Sequence, residues 1–387
     1  MASKTGRSPG LDYFPGNYRW SAALRMAISS AKNGGAELGE VDVVGQRLAS
    51  ADGDDEAWFR EWRAMAGHVR GLALDAETAG HNLTAAGAYL RAVTYYQVGE
   101  RFRTPKDADA LDAYRASVDG FRRYSELIDR PRIEIVEVPF EGGNLPAYFL
   151  PAENTNLERP PCVVFFDGLD VTKEILYIRG ADLARRGVAC LLVDGPGTGE
   201  AIRFRGLPLR YDYEVAGSAA LDYLERRPDV DSDRVGVLAL SLGGYYAPRC
   251  ASLEKRFKAC VAWGAIWDYH ATWKRRIDAA FQTALSVPGH HISWALGVDT
   301  LEQSLAKLED FRLDGIVQQM ECPFLLTHGE LDAQIPMEDA QALYDAVGSS
   351  DKTFKVFTAE EGGHQHCQCD NQTIGTTYIF DWFHDKL

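Results

Sequence analysis

The sequence predicts an α/β protein: a mainly parallel, doubly wound sheet, preceded by a helical domain over 1–130 and interrupted by a helical cap insertion at about 265–320. Three observations predict it. Short, continuous apolar runs recur after Pro161 with room for a helix between most of them, as strands covered on both faces read. Before Pro131 the apolar residues recur instead at spacings of three and four. Between these runs sits Ser241-Leu242-Gly243-Gly244, which follows the apolar Val235–Leu240 at once and leads into helical spacing.

The helical region is read from Trp58, Trp62, Met65, Ala66 and Val69, and again from Leu83, Ala86, Tyr89, Leu90, Val93, Tyr96 and Val98. No second copy of either pattern returns at a fixed period, which excludes a solenoid. At Pro131 the pattern changes. Residues 132–140 alternate apolar and polar, Glu141-Gly142-Gly143-Asn144 supplies a turn, and 145–150 runs back, predicting an antiparallel hairpin at a sheet edge. The buried strands follow at Cys162–Phe166, Ala189–Val193, Val235–Leu240, Ala259–Trp263 and 323–327, with a last one at 355–357. The stretch between Gly264 and Pro323 is too long for a plain crossover, and its segments 267–281, 286–296 and 301–313 keep aromatic and aliphatic periodicity. It is expected to lie over the functional site as a cap. The remainder, 131–387, is expected to form the catalytic domain.

Composition narrows the function. A chain of 387 residues with 46% hydrophobic and 25% charged residues is an ordinary globular protein able to bury a large core. A net charge of −15 argues against nucleic acid or an anionic membrane as partner, since both require clustered positive charge. The opening MASKTGRSPGLDYF has no apolar core of signal-peptide length, and nowhere do eighteen apolar residues run together. Seven cysteines, an odd number at irregular spacing, fit reduced thiols. The expectation is a cytoplasmic protein acting on a small molecule without a cofactor, and a homodimer fits a chain of this size.

The chemistry starts at Ser241. A strand, a sharp turn and a helix lift a serine hydroxyl clear of the sheet above a helix N-terminus, provided small residues stand two positions to either side. Ala239 and Gly243 meet that need. An ordinary helix N-cap is the competing role for Ser241. Activating a serine requires a base, an orienting carboxylate and oxyanion donors. After the strand 323–327 comes His328-Gly329-Glu330-Leu331-Asp332-Ala333, in which Asp332 is the acid and Glu330 its competitor. After the last strand, His364 and His366 compete as base. His364, His366, Cys367 and Cys369 also invite a metal reading, but four ligands within six residues rarely reach one ion and no partner cluster exists elsewhere, so no metal is expected. The oxyanion donors are the N–H groups of Leu242 and, from the loop after Phe166, of Leu169. The order Ser, Asp, His is that of the strand-turn-helix serine hydrolases.

These residues carry a resemblance. The helical N-terminal region, Asp194-Gly195-Pro196-Gly197-Thr198-Gly199-Glu200 after a strand, Ser241-Leu242-Gly243-Gly244, and His366-Cys367 near the end are together similar to one branch of the α/β-hydrolases. That branch includes 2,6-dihydroxypseudooxynicotine hydrolase, which cleaves a carbon–carbon bond, and the fungal yellowish-green hydrolases that shorten polyketides. The resemblance implies Ser241 as nucleophile, Asp332 as acid and His366, directly before Cys367, as base. It implies hydrolysis of a C–C bond beside a ketone, with ester, lactone or amide hydrolysis as the alternative. Asp268 and His270 are the nearest polar candidates for substrate contact, with helix capping as their competing role.

Overall fold

The protein, described by a computed structural model over residues 13–278 and 287–387, is organised around one eight-stranded sheet. Its strands are β1 (Glu134–Phe140), β2 (Gly143–Leu150), β3 (Cys162–Phe166), β4 (Ala189–Val193), β5 (Val235–Leu240), β6 (Ala259–Trp263), β7 (Phe324–Gly329) and β8 (Lys352–Phe357). The order is β1-β2-β4-β3-β5-β6-β7-β8. Strand β2 is antiparallel to β1 and β4, and every other pairing is parallel. The hairpin turns on Glu141 and Gly142, both left-handed at φ 44° and 80°, which suits the right-handed twist of the strands it joins.

Five helices precede the sheet: α1 (Tyr18–Ser30), α2 (Leu38–Leu48), α3 (Asp55–Thr78), α4 (Asn82–Glu100) and α5 (Ala108–Leu127). The crossovers carry α6 (Lys173–Ala184), α7 (Gly199–Arg205), α8 (Glu214–Leu224) and α9 (Gly243–Leu253). The long connection carries α10 (Tyr269–Asp278), α11 (His291–Leu296) and α12 (Leu301–Leu308); α13 (Met337–Ala346) and α14 (Gln372–Lys386) complete the chain. The expected segments 267–281 and 286–296 are thus shorter as helices, and their inner ends, Phe281 and Ser286, lie outside the described residues.

Alternate strand residues feed two cores, because successive side chains point to opposite faces. Val163, Phe165, Leu192 and Val261 join α6, α14 and the first five helices in one continuous apolar cluster. Val164, Phe166, Leu191 and Cys260 join α8, α9, α13 and the insertion helices in the other. The N-terminal helices therefore share a core with the sheet, around Trp20, Trp58 and Trp62, all fully buried. Leu83, one of the residues that set the α4 periodicity, is 81% exposed; it stands in the first turn, before the helix meets its neighbours at Ala85.

A buried ionic cluster ties the N-terminal helices to the sheet. Lys173 Nζ lies 2.7 Å from Glu174 Oε1, 2.9 Å from Asp194 Oδ2 and 2.7 Å from Glu200 Oε1. Gln97 of α4 donates to Glu174 at 3.1 Å, and Tyr114 of α5 donates to Glu174 at 3.3 Å and to Asp194 at 3.4 Å. The Asp194–Glu200 motif serves this cluster: Asp194 accepts the Glu200 N–H at 2.9 Å, and a Cβ on left-handed Gly199 would lie 2.0 Å from the Asp194 carboxylate. The three carboxylates come close enough to hold a cation, and the Lys173 ammonium already stands among them.

Candidate active site

Ser241 is placed by geometry that few side chains tolerate. It has φ +61°, its N–H donates to Trp263 O at 2.8 Å, and its carbonyl accepts the Gly244 N–H at 2.8 Å. A non-glycine residue in that region stores strain, which is the signature of a tight turn with the hydroxyl at its tip. The neighbouring glycines leave no room for a methyl: a Cβ on Gly243 would lie 2.4 Å from Ala239 Cβ, and one on Gly244 would lie 2.0 Å from Gly264 O.

The structure brings Ser241, His366 and Asp332 into one hydrogen-bonded chain. His366 Nε2 lies 2.8 Å from Ser241 Oγ, and His366 Nδ1 lies 2.6 Å from Asp332 Oδ2. Asp332 Oδ1 accepts from the N–H groups of Gln334 at 2.8 Å and Ile335 at 3.0 Å, so its orientation is set by its own loop. Burial opposes charge on Asp332, yet His366 and these amides hold its carboxyl below the ordinary range. Burial likewise opposes charge on His366, but the Asp332 carboxylate and Cys367 overcome it and lift the imidazole well above its ordinary value. His328 lies beside the pair, 3.9 Å from Asp332, with Nε2 3.1 Å from Ile335 O; burial drives its own value down.

The competitors are placed elsewhere. His364 Nδ1 is 3.0 Å from Asp370, and Glu330 accepts the Ala359 N–H at 2.9 Å. Both ring nitrogens of His366 are engaged, and the Cys367 thiol donates to Trp263 O at 3.1 Å, so these two residues of the metal reading have other partners. Leu242 and Leu169 both line the cavity with Ser241, and neither N–H donates to a backbone carbonyl among the described residues. The loop carrying Leu169 is pressed on the elbow at Gly168, where a Cβ would lie 2.9 Å from Ser241 Cβ. Asp268 and His270 are not brought to the cavity. Asp268 accepts the Ala271 N–H at 2.7 Å, as a cap of α10, and pairs with Arg312 at 3.3 Å.

Other residues take their place. Tyr269, Trp273 and Arg276, one helical face of α10, wall the cavity opposite Leu169. Gln334 adds an amide that donates to the Tyr18 hydroxyl at 3.2 Å, which brings the start of α1 to the site. Burial, with Cys369 and Asp332 nearby, pushes the Tyr18 phenol above its ordinary range. Nothing local in the sequence marks Tyr18 or Arg276; the spacing 269, 273, 276 is a signal for one helix face and no more. The cavity leaves about 10 Å³, room for about one water, so side chains of its lining must shift to admit a substrate. Roomier hollows of about 550 and 510 Å³ lie beside α1 and α14 and beside Phe140 and Phe311, and neither includes Ser241 or His366.

Known proteins resemble this chain in sequence and in fold. The sequence profile described as the Prolyl oligopeptidase family matches residues 179–387. The chain is 29% identical to Hydrolase acrC of Aspergillus aculeatus, over 97% of this chain and 98% of that protein. It is 31% identical to Hydrolase LUC6 of a Fusarium species, over 97% of each. With 20-hydroxy-prefusarin hydrolase FUS2 of Gibberella moniliformis it shares 30% identity over 90% of this chain and 91% of that one. The crystal structure of 2,6-dihydroxy-pseudo-oxynicotine hydrolase superposes with a TM-score of 0.75 at 24% identity, covering 93% of this chain and 95% of that one, a likeness of fold.

Proposed function

The chain belongs to the prolyl oligopeptidase family of α/β-hydrolases, hydrolytic enzymes, and on that premise we propose that it is a serine hydrolase cleaving a C–C bond beside a ketone in an aromatic or polyketide-like small molecule. The observation that carries the reading is the unbroken chain from Ser241 Oγ through His366 to Asp332, at 2.8 and 2.6 Å. His366 Nε2 takes the Ser241 proton as Oγ attacks the carbonyl carbon. The oxyanion rests on the N–H groups of Leu242 and Leu169. As the C–C bond breaks, its electron pair leaves as an enolate, and His366 returns the proton to that carbon. Water then releases the acid from Ser241 by the same base.

The enclosed aromatic wall of Tyr269 and Trp273 supports carbon–carbon cleavage, since a carbanionic leaving group needs a dry site. Names given to relatives, 20-hydroxy-prefusarin hydrolase among them, support a small natural product as substrate. All seven cysteines are free thiols, which supports a cytoplasmic setting, and no described helix is long and apolar enough to cross a membrane. The test is a paired assay of wild type and Ser241→Ala on an aryl 1,3-diketone and a matched aryl ester, with products followed by mass spectrometry. Diketone cleavage to an acid and a ketone, lost in the variant, is the expected result. Ester cleavage alone would overturn the carbon–carbon reading and leave an esterase.

A further inference from the structure

We propose that Arg276 and the Trp273 indole N–H form a subsite for a negatively charged substrate oxygen, the one that becomes the enolate as the C–C bond breaks. The inference rests on the carbon–carbon reading above and adds the residues that would receive the second oxygen of a β-dicarbonyl substrate, the carbonyl that stands two carbons from the one Ser241 attacks.

Both donors line the same cavity as Ser241 and His366. Trp273 is 1% exposed, and its Nε1 makes no hydrogen bond of good geometry to a described residue, the Tyr269 hydroxyl being the one acceptor that acts on it. Arg276 Nε is likewise buried without a partner, and no described carboxylate pairs with its guanidinium. The guanidinium carbon lies 5.2 Å from the Trp273 ring centre, so the two donors belong to one patch one turn apart on α10. Burying two N–H donors with poor acceptors is unfavourable, because each gives up its hydrogen bonds to water. A protein has reason to keep such groups where a ligand supplies the acceptor. Asp332 and Asp170 do not fill that role, because the Asp332 oxygens are taken by His366, Gln334 and Ile335 and Asp170 pairs with Arg101. Burial raises the Tyr269 phenol, and the Arg276 charge with hydrogen bonding from Trp273 and Arg276 works against that rise, so the neutral Tyr269 hydroxyl is the acceptor beside both donors that an anionic substrate oxygen would replace.

The electrons then have a defined destination. Collapse of the tetrahedral adduct breaks the bond between the attacked carbonyl carbon and its α-carbon; the pair becomes the enol C=C bond, and the former C=O pair moves onto the second oxygen. Arg276 and Trp273 hold that O⁻ until His366 protonates the α-carbon and restores the ketone. Stabilisation aimed at charge that develops only in the transition state raises kcat more than it lowers KM.

Two measurements test the subsite. The first compares wild type, Arg276→Gln and Arg276→Lys on benzoylacetone and on phenyl acetate, which lacks a second carbonyl and so forms no enolate. The kcat/KM ratio of diketone over ester is expected to fall about 30-fold in Arg276→Gln, mostly in kcat, and to recover in part in Arg276→Lys. The second titrates benzoylacetone bound to Ser241→Ala protein by its enolate absorbance. Its enol is expected to ionise about one pH unit lower than in the doubly substituted Ser241→Ala, Arg276→Gln protein. If wild type cleaves only the ester while this shift is present, the carbon–carbon reading falls and the anion subsite stands. An equal effect of Arg276→Gln on both substrates together with an unshifted or absent bound enolate overturns the subsite.

Discussion

Replacing Lys173 with methionine keeps an unbranched apolar stem and removes the ammonium from among three carboxylates. In the structure the Lys173, Glu174 and Asp194 side chains are 1%, 0% and 0% exposed, so water cannot take its place cheaply. Breaking a buried ionic contact by removing one partner costs about 3–5 kcal/mol. Burial works to raise Glu174, yet Lys173 and the hydroxyls of Thr172 and Tyr148 hold it at about 2 against an ordinary 4.5, with the ammonium the largest of the opposing causes. Asp194 does not share this benefit equally, because burial lifts it in spite of the same ammonium. A carboxyl depressed in the folded state contributes stability that is present above its unfolded value and lost as pH falls through about 2. Without Lys173 the carboxylates rise instead, and their penalty is relieved as they take up protons. The expected loss is therefore about 3–5 kcal/mol near neutral pH and less near pH 5, measured by urea denaturation at unchanged m. Adding Glu174→Gln should return part of it. A loss under about 1 kcal/mol, or the same loss at both pH values, would refute the reasoning.

Further outcomes follow from the same structure. In the proposed mechanism a neutral His366 accepts the Ser241 proton, so kcat/KM is expected to rise with pH through an ionisation above the ordinary histidine range, while the stability that the paired imidazolium contributes is present at low pH and lost as pH rises through the same ionisation. Asp332→Asn should lower kcat by about 10³–10⁴ and move that limb to lower pH, as a pH–rate profile would read. Gly244→Ala places a methyl 2.0 Å from Gly264 O and should cost at least about 1–3 kcal/mol together with most of the activity, whereas Gly39→Ala, in open space on α2, should be neutral or stabilising by up to about 1 kcal/mol in the same melts.

Much of this molecule is legible along the chain because the rules involved are local. Continuous apolar runs specify strands covered on both faces, and the alternation over 132–140 specifies an edge hairpin, since side-chain direction follows from backbone period alone. Ser241 and Asp332 are each visible as a polar residue just past a strand end, and His366 as one in the longer loop after the last strand, the rim to which a parallel sheet presents its functional side chains. Asp268 and His270 share that address, yet the chain turns into α10 there and uses Asp268 as a cap. The choice between His364 and His366 needed either a resemblance or coordinates, because two residues of spacing do not reveal that left-handed Cys367, at φ 48°, aims one ring at Ser241 while its neighbour meets Asp370. Lys173 meets carboxylates 21 and 27 positions away, and Tyr18 meets Gln334 across 316, so no window of sequence contains either contact. The sequence by itself determined the elements, the tight glycine turns and the residues able to do chemistry, all of which depend on neighbours in the chain. Only the tertiary structure decided which donors are left without partners beside the serine, because burial and pairing are properties of space shared by residues far apart.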